Sequence, residues 1–287
     1  MNITFLGLGI MGSRMALNLL KHHKKITVWN RTEAAAEPLV AAGAKSAPTA
    51  ADAVSNADLV ISMLAKPEAV EAVMFGQEGA LQHMKAGSLW MDSSTVNPSF
   101  SRSCASRAAA TGIRFLDAPV AGTLPQAANA ELIYFAGGNK PDVETATPWM
   151  NLMGKMVMHI GENGMGSSFK MLVNSMLAQS MLVFSETLLL GEKMGLDRDF
   201  LLDKLPNLAV AAPFTKAKAE MIRKDDYSVM FPLELMHKDL HLAALSAYEV
   251  GQALPLANAA KERYADAVQA GLGRLDFAAI HQFLKSS

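Results

Sequence analysis

A single lysine in an apolar helix is the first sign of chemistry. Lys170 lies near the start of segment 164–194, which predicts one long helix without a charged side chain from Met171 to Ser185. A helix that is apolar on nearly every side is expected to be buried by more than one neighbour. Burial and the positive end of the helix dipole both disfavour an ammonium, and they would lower its pKa towards that of a proton-transfer group. Asn174 would share its helix face. The alternative is a structural lysine whose stem lies on apolar surface and whose ammonium reaches water.

The beginning of the chain carries a glycine motif between a strand and a helix. Residues 2–6 predict a short apolar strand, residues 13–23 predict a helix, and GLGIMG between them has the GxGxxG spacing. Such glycines let a pyrophosphate approach the backbone amides at a helix N-terminus, so the motif predicts a dinucleotide site. Its predicted contacts are Gly7, Leu8, Gly9, Ile10, Met11 and Gly12.

The end of the second predicted strand indicates which dinucleotide binds. An acidic residue near this point would bind the ribose 2′-hydroxyl of NAD. The chain has Asn30, Arg31 and Thr32 instead, and all three can donate hydrogen bonds to a 2′-phosphate. The pattern therefore favours NADPH over NADH. A polar turn in which Thr32 caps the next helix is the structural alternative, and both can hold together.

Strands and helices alternate to about residue 160, and the pattern is helical from Gly164 onwards. We therefore predict a doubly wound, mostly parallel α/β domain in residues 1–162 and an all-helical domain in residues 163–287. Ligands bind such sheets at the carboxyl ends of the strands, and the cleft facing the second domain is the expected active site. Further stretches follow predicted strands at Met63, Leu64 and Ala65, at Ser93 and Thr95, and at Ala121, Gly122 and Thr123. The last of these lies in DAPVAGT at 117–123, whose small residues and proline predict a stiff loop with accessible amides.

Composition limits the partners. The formal net charge is −1, so no basic surface indicates nucleic acid or an anionic membrane. The charge-free run from Met171 to Ser185 is shorter than the roughly 20 residues that cross a bilayer. One cysteine, no basic N-terminal leader and no cluster of metal ligands favour a cytoplasmic protein without a metal. The apolar helical domain suggests a homodimer or homotetramer, although burial within one subunit explains it nearly as well.

The motifs together resemble the β-hydroxyacid dehydrogenase family, most closely its glyoxylate/succinic semialdehyde reductase branch. The resemblance covers essentially the whole chain and is carried by GLGIMG at 7–12, VWNRT at 28–32, DSST at 92–95, DAPVAGT at 117–123, GxxGxGSSFKMLVN at 161–174 and FPLELMHKDL at 231–240. It implies a Rossmann domain followed by a helical domain like the C-terminal domain of 6-phosphogluconate dehydrogenase.

The resemblance also implies roles for individual residues. Lys170 matches the catalytic lysine and Asn174 the substrate-orienting asparagine. On the cofactor side, the matching residues outside the glycine motif and the strand ends are Thr95, Phe231 and Lys238. On the substrate side, besides Lys170 and Asn174, they are Ser93, Thr95, Ala121, Gly122, Thr123, Phe231 and Asp239.

The implied reaction is NADPH-dependent reduction of a small carboxylate-bearing aldehyde or keto acid, with Lys170 as general acid. Ala121 departs from the serine that the family usually has there, so backbone amides at Gly122 and Thr123 would hold the carboxylate. Three alternatives remain open. They are a 3-hydroxyisobutyrate or tartronate semialdehyde dehydrogenase, an imine reductase, and an NADP-binding interaction module without activity. A 6-phosphogluconate dehydrogenase is disfavoured, since Val173 occupies the place of its histidine.

Overall fold

The computed structural model describes residues 1–23 and 25–286. Its contacts divide the chain into two compact units, Met1–Lys170 and Met171–Ser287. The division falls later than residue 162 because the first turns of the long helix pack on the sheet of the first unit. A side chain at Gly166, for example, would overlap the carbonyl oxygen of Phe135. The domain boundary drawn from the sequence remains a prediction.

The first unit is a nine-stranded sheet with helices between the strands. Its strands are β1 Ile3–Leu6, β2 Ile26–Trp29, β3 Lys45–Ser46, β4 Leu59–Ser62, β5 Leu89–Asp92, β6 Arg114–Asp117, β7 Val120–Ala121, β8 Leu132–Gly137 and β9 Gly154–Gly161. Its helices are α1 Gly12–His22, α2 Glu37–Ala41, α3 Ala50–Val54, α4 Pro67–Phe75, α5 Pro98–Ala110, α6 Leu124–Ala128 and α7 Lys140–Met150.

The strand order is β3-β2-β1-β4-β5-β6-β8-β7, with β9 paired to β8. The pairs from β3 to β6 are parallel, whereas β8 runs antiparallel to β6 and β7. Strand order reverses between β1 and β4, which is where such sheets bind dinucleotides. Apolar residues on both faces of the sheet form two core clusters. The predicted doubly wound, mostly parallel fold is confirmed.

Two elements were missed around residues 117–128. The sequence predicted a stiff loop at 117–123, but Val120 and Ala121 form β7 and pair with β8. Thr123 then precedes helix α6. Both elements are short, and a two-residue strand has no detectable alternation, so only the pairing with a distant strand defines it.

The second unit is helical. It contains most of α8, Met165–Lys193, followed by α9 Arg198–Lys204, α10 Thr215–Lys224, α11 Leu233–Glu249, α12 Pro255–Ala267 and α13 Ile280–Lys285. A π-helical turn, Val268–Leu272, extends α12. The core of the unit gathers side chains from α8, α11 and α12 around Tyr264, whose hydroxyl donates to the carbonyl of Ala178.

Helix α8 is not buried on nearly every side, and that expectation was wrong. Leu172, Met176, Val183 and Leu190 are each more than 60% exposed and follow one another along one stripe of the helix. By length and composition alone α8 is apolar enough to cross a membrane, the one such helix within the described residues. The sequence argument had compared only the charge-free run from Met171 to Ser185 with the thickness of a bilayer, not the full length of α8. A core helix of a globular domain can be equally long and apolar, and 39% of the most apolar stretch of α8 is buried.

A buried histidine makes the second unit sensitive to acid. His281 in α13 is 1% exposed, and neither ring nitrogen has a hydrogen-bond partner among the described residues. Burial, with smaller effects of Arg198 and Lys285, lowers its pKa from 6.5 to about 4. Between these pH values the unfolded chain binds a proton that the folded chain does not. Because of His281, the free energy of unfolding therefore decreases as the pH drops below about 6.5.

We predict that His281→Leu loses less unfolding free energy on acidification than the wild type does. Between about pH 7 and pH 5 the difference should be about 2 kcal/mol, because one pKa unit is worth about 1.36 kcal/mol. Urea unfolding followed by far-UV circular dichroism at both pH values measures it. Other groups titrate in both proteins, so the comparison isolates His281. The exposed His83, changed to leucine, is the control, and equal losses in all three proteins would contradict the prediction.

Candidate active site

The three glycines of the first motif have different tasks. Gly7 has a φ of +95°, and a side chain there would overlap the carbonyl oxygen of Met63. A side chain at Gly12 would overlap the carbonyl oxygen of Gly7. Nothing lies within 4 Å of the place where a Cβ of Gly9 would be. Gly7 and Gly12 are thus required by the turn itself, whereas Gly9 leaves open space beside the backbone, which fits the close approach of a pyrophosphate.

The tip of β2 is joined to the glycine motif by Asn30. Its side-chain oxygen accepts from the N–H of Leu8 at 2.9 Å, and its amide nitrogen donates to the carbonyl of Thr32 at 2.9 Å. Asn30 therefore shapes the turn, and Arg31 and Thr32 are the exposed polar groups beside it. The side chain of Thr32 makes no capping bond to the helical turn that follows, so the structural alternative for Thr32 was wrong.

Residues missed by the sequence analysis connect the ends of β4 and β5. The hydroxyl of Ser94 accepts from the N–H of Leu64 at 2.9 Å, which holds the predicted cofactor segment Met63–Ala65 beside β5. Buried Asp92 in turn accepts from the N–H of Ser94 and from the hydroxyl of Ser62. The DSST motif marked this region, but the identity of the anchoring hydroxyl depends on the fold.

Ser93 and Thr95 are the neighbours of Ser94 in the sequence. The hydroxyl of Ser93 is fully buried and has no hydrogen-bond partner among the described residues. A buried hydroxyl without a hydrogen-bond partner lowers the stability of the fold, and a polar group of a ligand would supply the partner. Thr95 is half-buried. These properties suit the substrate-side role predicted for Ser93.

The segment 121–123 differs from expectation. Ala121 lies in β7, and Gly122 has a φ of +122°. The N–H and the hydroxyl of Thr123 both donate to the side-chain oxygen of Gln126, at 2.9 and 3.0 Å. A substrate carboxylate would have to displace Gln126 to use either donor, which weakens the predicted role of Thr123.

Lys170 is held on a helix that begins against the sheet. It is 7% exposed. One turn before it, the N–H groups of Gly164 and Ser167 donate to the two oxygens of Asp117, at 2.7 and 2.8 Å. Burial raises the pKa of Asp117 to about 7, although these hydrogen bonds oppose the rise. The sequence analysis had considered the amides of the DAPVAGT motif and had overlooked its carboxylate.

In the second unit buried Asn174 and Asp239 form one group with half-buried Lys238. The amide nitrogen of Asn174 donates to Asp239 at 2.5 Å, and the ammonium of Lys238 lies 2.8 Å from the other oxygen of Asp239. Since a carboxylate only accepts hydrogen bonds, Asp239 fixes the orientation of the amide. The amide oxygen of Asn174 is buried without a partner among the described residues, so it can accept a hydrogen bond from a ligand. Asp239 orients Asn174, whereas the sequence predicted that it binds substrate.

Phe231 is positioned through its backbone. Its N–H donates to Asp276 at 3.0 Å, and its ring packs edge-on against Phe277 at 5.8 Å between centroids. Asp276 is itself buried and paired with Lys218 at 2.6 Å. Burial lowers the pKa of Lys218, and the carboxylate of Asp276 opposes that change.

Within the first unit the strand-end predictions converge. The glycine motif, the tip of β2 and the ends of β4 and β5 are joined by hydrogen bonds from Leu8 to Asn30 and from Leu64 to Ser94. In the second unit Asn174, Lys238 and Asp239 are likewise in contact. The first unit thus offers open backbone for a dinucleotide and a buried lysine, and the second unit offers an amide oxygen that can accept a hydrogen bond.

Two family models match the chain and together cover nearly all of it. Residues 2–161 match the NAD binding domain of 6-phosphogluconate dehydrogenase. Residues 164–284 match the NAD-binding domain of NADP-dependent 3-hydroxyisobutyrate dehydrogenase.

Curated relatives and solved structures agree with these matches. The chain is 38% identical to glyoxylate/succinic semialdehyde reductase 2 of Arabidopsis thaliana, over 100% of its own length and 80% of the relative. It is 37% identical to glyoxylate/succinic semialdehyde reductase 1 of the same plant, over 100% and 99%. A solved structure of Mycobacterium tuberculosis 3-hydroxyisobutyrate dehydrogenase with L-serine is 30% identical and superposes with a TM-score of 0.90, over 99% of this chain and 98% of the other.

The predicted family is therefore confirmed by models over both halves of the chain and by relatives along its whole length. A non-enzymatic binding module is no longer a useful alternative. The chain belongs to the β-hydroxyacid dehydrogenase family and is an NAD(P)-dependent oxidoreductase of the hydroxyacid dehydrogenase and semialdehyde reductase class.

Proposed function

We propose that this enzyme uses NADPH to reduce a small aldehyde or keto acid of the glyoxylate or succinic semialdehyde type to the hydroxyacid, with Lys170 as general acid. The observation that carries the proposal is the buried lysine on α8, 7% exposed and one turn beyond a helix start that is bonded to the sheet. The two Arabidopsis relatives named as glyoxylate/succinic semialdehyde reductases support the substrate class.

In this proposal Lys170 and Asn174 have separate roles in the reaction. NADPH, when bound, supplies the hydride. The ammonium of Lys170 stabilises the negative charge that develops on the carbonyl oxygen and donates the proton. The amide oxygen of Asn174, oriented by Asp239, accepts a hydrogen bond from the product hydroxyl or from an ammonium. In the oxidative direction Lys170 must be neutral to accept a proton. Oxidation should therefore favour a higher pH than reduction does.

A 3-hydroxyisobutyrate or tartronate semialdehyde dehydrogenase is the second candidate. The structural match to a 3-hydroxyisobutyrate dehydrogenase favours it. Both candidates share the proton donor and differ in how the substrate carboxylate is held. With alanine at position 121 and Thr123 engaged by Gln126, the buried hydroxyl of Ser93 is the side-chain donor in the first unit that we assign to the substrate carboxylate.

The preference for NADPH rests on the tip of β2. Arg31 and Thr32 are exposed there, and no acidic side chain occupies positions 30–32. A guanidinium can pair with a 2′-phosphate through two hydrogen bonds, whereas the 2′-hydroxyl of NADH offers it no charge.

We further propose that the enzyme is a cytoplasmic homodimer or homotetramer that binds neither nucleic acid nor a membrane. The exposed stripe of Leu172, Met176, Val183 and Leu190 on α8 supports self-association, because such patches commonly mark interfaces. The single buried Cys104 suits a reducing compartment.

We predict that Lys170→Ala loses turnover by a factor of about 10² to 10⁴, the usual contribution of a general acid, while NADPH still binds. The assay is NADPH oxidation with glyoxylate, succinic semialdehyde, tartronate semialdehyde and a cyclic imine in parallel, with NADPH binding followed by fluorescence. Lys193→Ala, at the exposed far end of α8, is the matched control. Near-normal kcat in the Lys170 variant would refute the role, and preference for the imine would refute the substrate class.

We predict that Arg31→Ala weakens NADPH binding by about 10- to 100-fold and NADH binding much less, since a hydrogen bond to a charged group is worth about 1.5–3 kcal/mol. Titration of each reduced cofactor into the same variant measures both constants, so NADH is the internal control. Equal weakening of the two cofactors would mean that Arg31 does not contact the 2′-phosphate.

We predict that the wild-type protein elutes as a dimer or tetramer in size-exclusion chromatography with light scattering. Val183→Glu should shift it towards the monomer, because a carboxylate in the centre of the apolar stripe would be desolvated on association. The control is Lys193→Glu, which changes an exposed charged residue at the end of the same helix. A monomeric wild type, measured at micromolar concentration, would contradict the proposal.

A further inference from the structure

Helix α8 has no capping side chain of its own. Gly164, with a φ of +89°, directly precedes its first residue, and a glycine offers no oxygen to the unpaired N–H groups of the first turn. The two oxygens of Asp117 take that place, accepting from the N–H groups of Gly164 and Ser167 at 2.7 and 2.8 Å. Asp117 lies 47 positions before Gly164 and ends β6. A distant carboxylate thus performs the task that usually belongs to the N-cap residue.

The carboxylate of Asp117 is closely packed on several sides. Asp117 is 1% exposed. A Cβ added at Gly137 would lie 2.6 and 2.8 Å from its two oxygens, and one added at Gly166 would overlap the carbonyl of Phe135. The hydroxyls of Ser167 and Ser101 are 2.7 Å apart and connect the same turn to α5. The first turn of α8 is therefore held on the first unit from two sides.

This attachment determines where Lys170 lies. Lys170 follows Ser167 by three residues, which is slightly less than one turn of an α-helix. A shift of the helix by one residue would move the lysine by about 1.5 Å along the axis and turn it by about 100°. The bonds from Asp117 oppose both movements, because they join two fixed points of the first turn to the end of a sheet strand.

We propose that Asp117 is the positioning residue for Lys170, and that its carboxylate sets the axial position and rotation of the first turns of α8. The proposal rests on the role of Lys170 as proton donor given above. Asp117 itself touches neither substrate nor cofactor in this proposal. Its effect on the reaction passes through the helix backbone.

The test compares Asp117→Asn with Asp142→Asn in the full-length enzyme. Asparagine keeps the volume, but its amide nitrogen would face an N–H donor, so one of the two bonds is lost. Asp142 is a matched control. It is a buried carboxylate at the start of α7 in the same unit that also accepts two hydrogen bonds, from Arg114 and Asn139.

In the Asp117 variant kcat should fall by about 10- to 100-fold, as expected for a misplacement of about 1 Å, while KM for NADPH changes less than about twofold. Hydrogen exchange should accelerate at residues 164–170 and stay unchanged at the far end of α8. The Asp142 variant should lose stability and keep its kcat. A folded Asp117 variant with normal kcat and normal exchange at residues 164–170 would overturn the proposal.

A second variant covers the case in which the Asp117 variant does not fold. Gly137→Ala places a Cβ 2.6 and 2.8 Å from the two oxygens of Asp117, so it displaces the carboxylate without removing it. It should lower kcat by a few fold with KM for NADPH unchanged, and unchanged kcat together with unchanged exchange at residues 164–170 would then decide against the proposal. The Lys170→Ala variant tests the proposed function separately. If that variant stays active, Lys170 is not the donor, while the exchange data still show whether Asp117 holds the helix.

Discussion

The start of α8 can contact the sheet closely because Gly137 and Gly166 have no side chains. A Cβ at Gly137 or Gly166 would occupy the space in which helix backbone meets strand backbone. Because that space is empty of side chains, the N–H groups of Gly164 and Ser167 reach Asp117 directly. The side chain of a buried lysine such as Lys170 has little freedom to move. The position of the backbone therefore determines where its ammonium group lies.

Buried polar groups in this protein fall into two kinds. Asp92 and Ser94 use their oxygens to join neighbouring strand ends, and their loss would free the loops that they hold. Ser93 and Asn174 instead keep one buried atom without a partner among the described residues. A fold tolerates such atoms where a ligand completes them, since an unsatisfied buried group costs about 1–3 kcal/mol. In our proposal Ser93 and Asn174 direct these atoms at a ligand, and Asp92 and Ser94 hold the loops around them.

Prediction from sequence succeeded where the signal is local and failed where it is not. The glycine motif, the order of strands and helices to Gly161 and the helical remainder follow from spacing and periodicity within short windows. Strand β7 and the engagement of Thr123 by Gln126 were missed, since the strand is too short to show alternation and the helix after Thr123 was not recognised. The stripe of exposed apolar residues on α8 was also misjudged, because a helix that is apolar on many sides does not reveal which side its neighbours cover.

The sequence by itself determined that Lys170 and Asn174 lie one turn apart on one helix, that a glycine turn begins the chain, and that no acid occupies the tip of β2. These are properties of neighbouring residues, and helix geometry converts their spacing directly into position. Only the tertiary structure decided that Asp117 caps α8 and that Asp239 orients the amide of Asn174. Each of these pairs is separated by about 50 or more positions, and such contacts exist only after the sheet and the helices have packed.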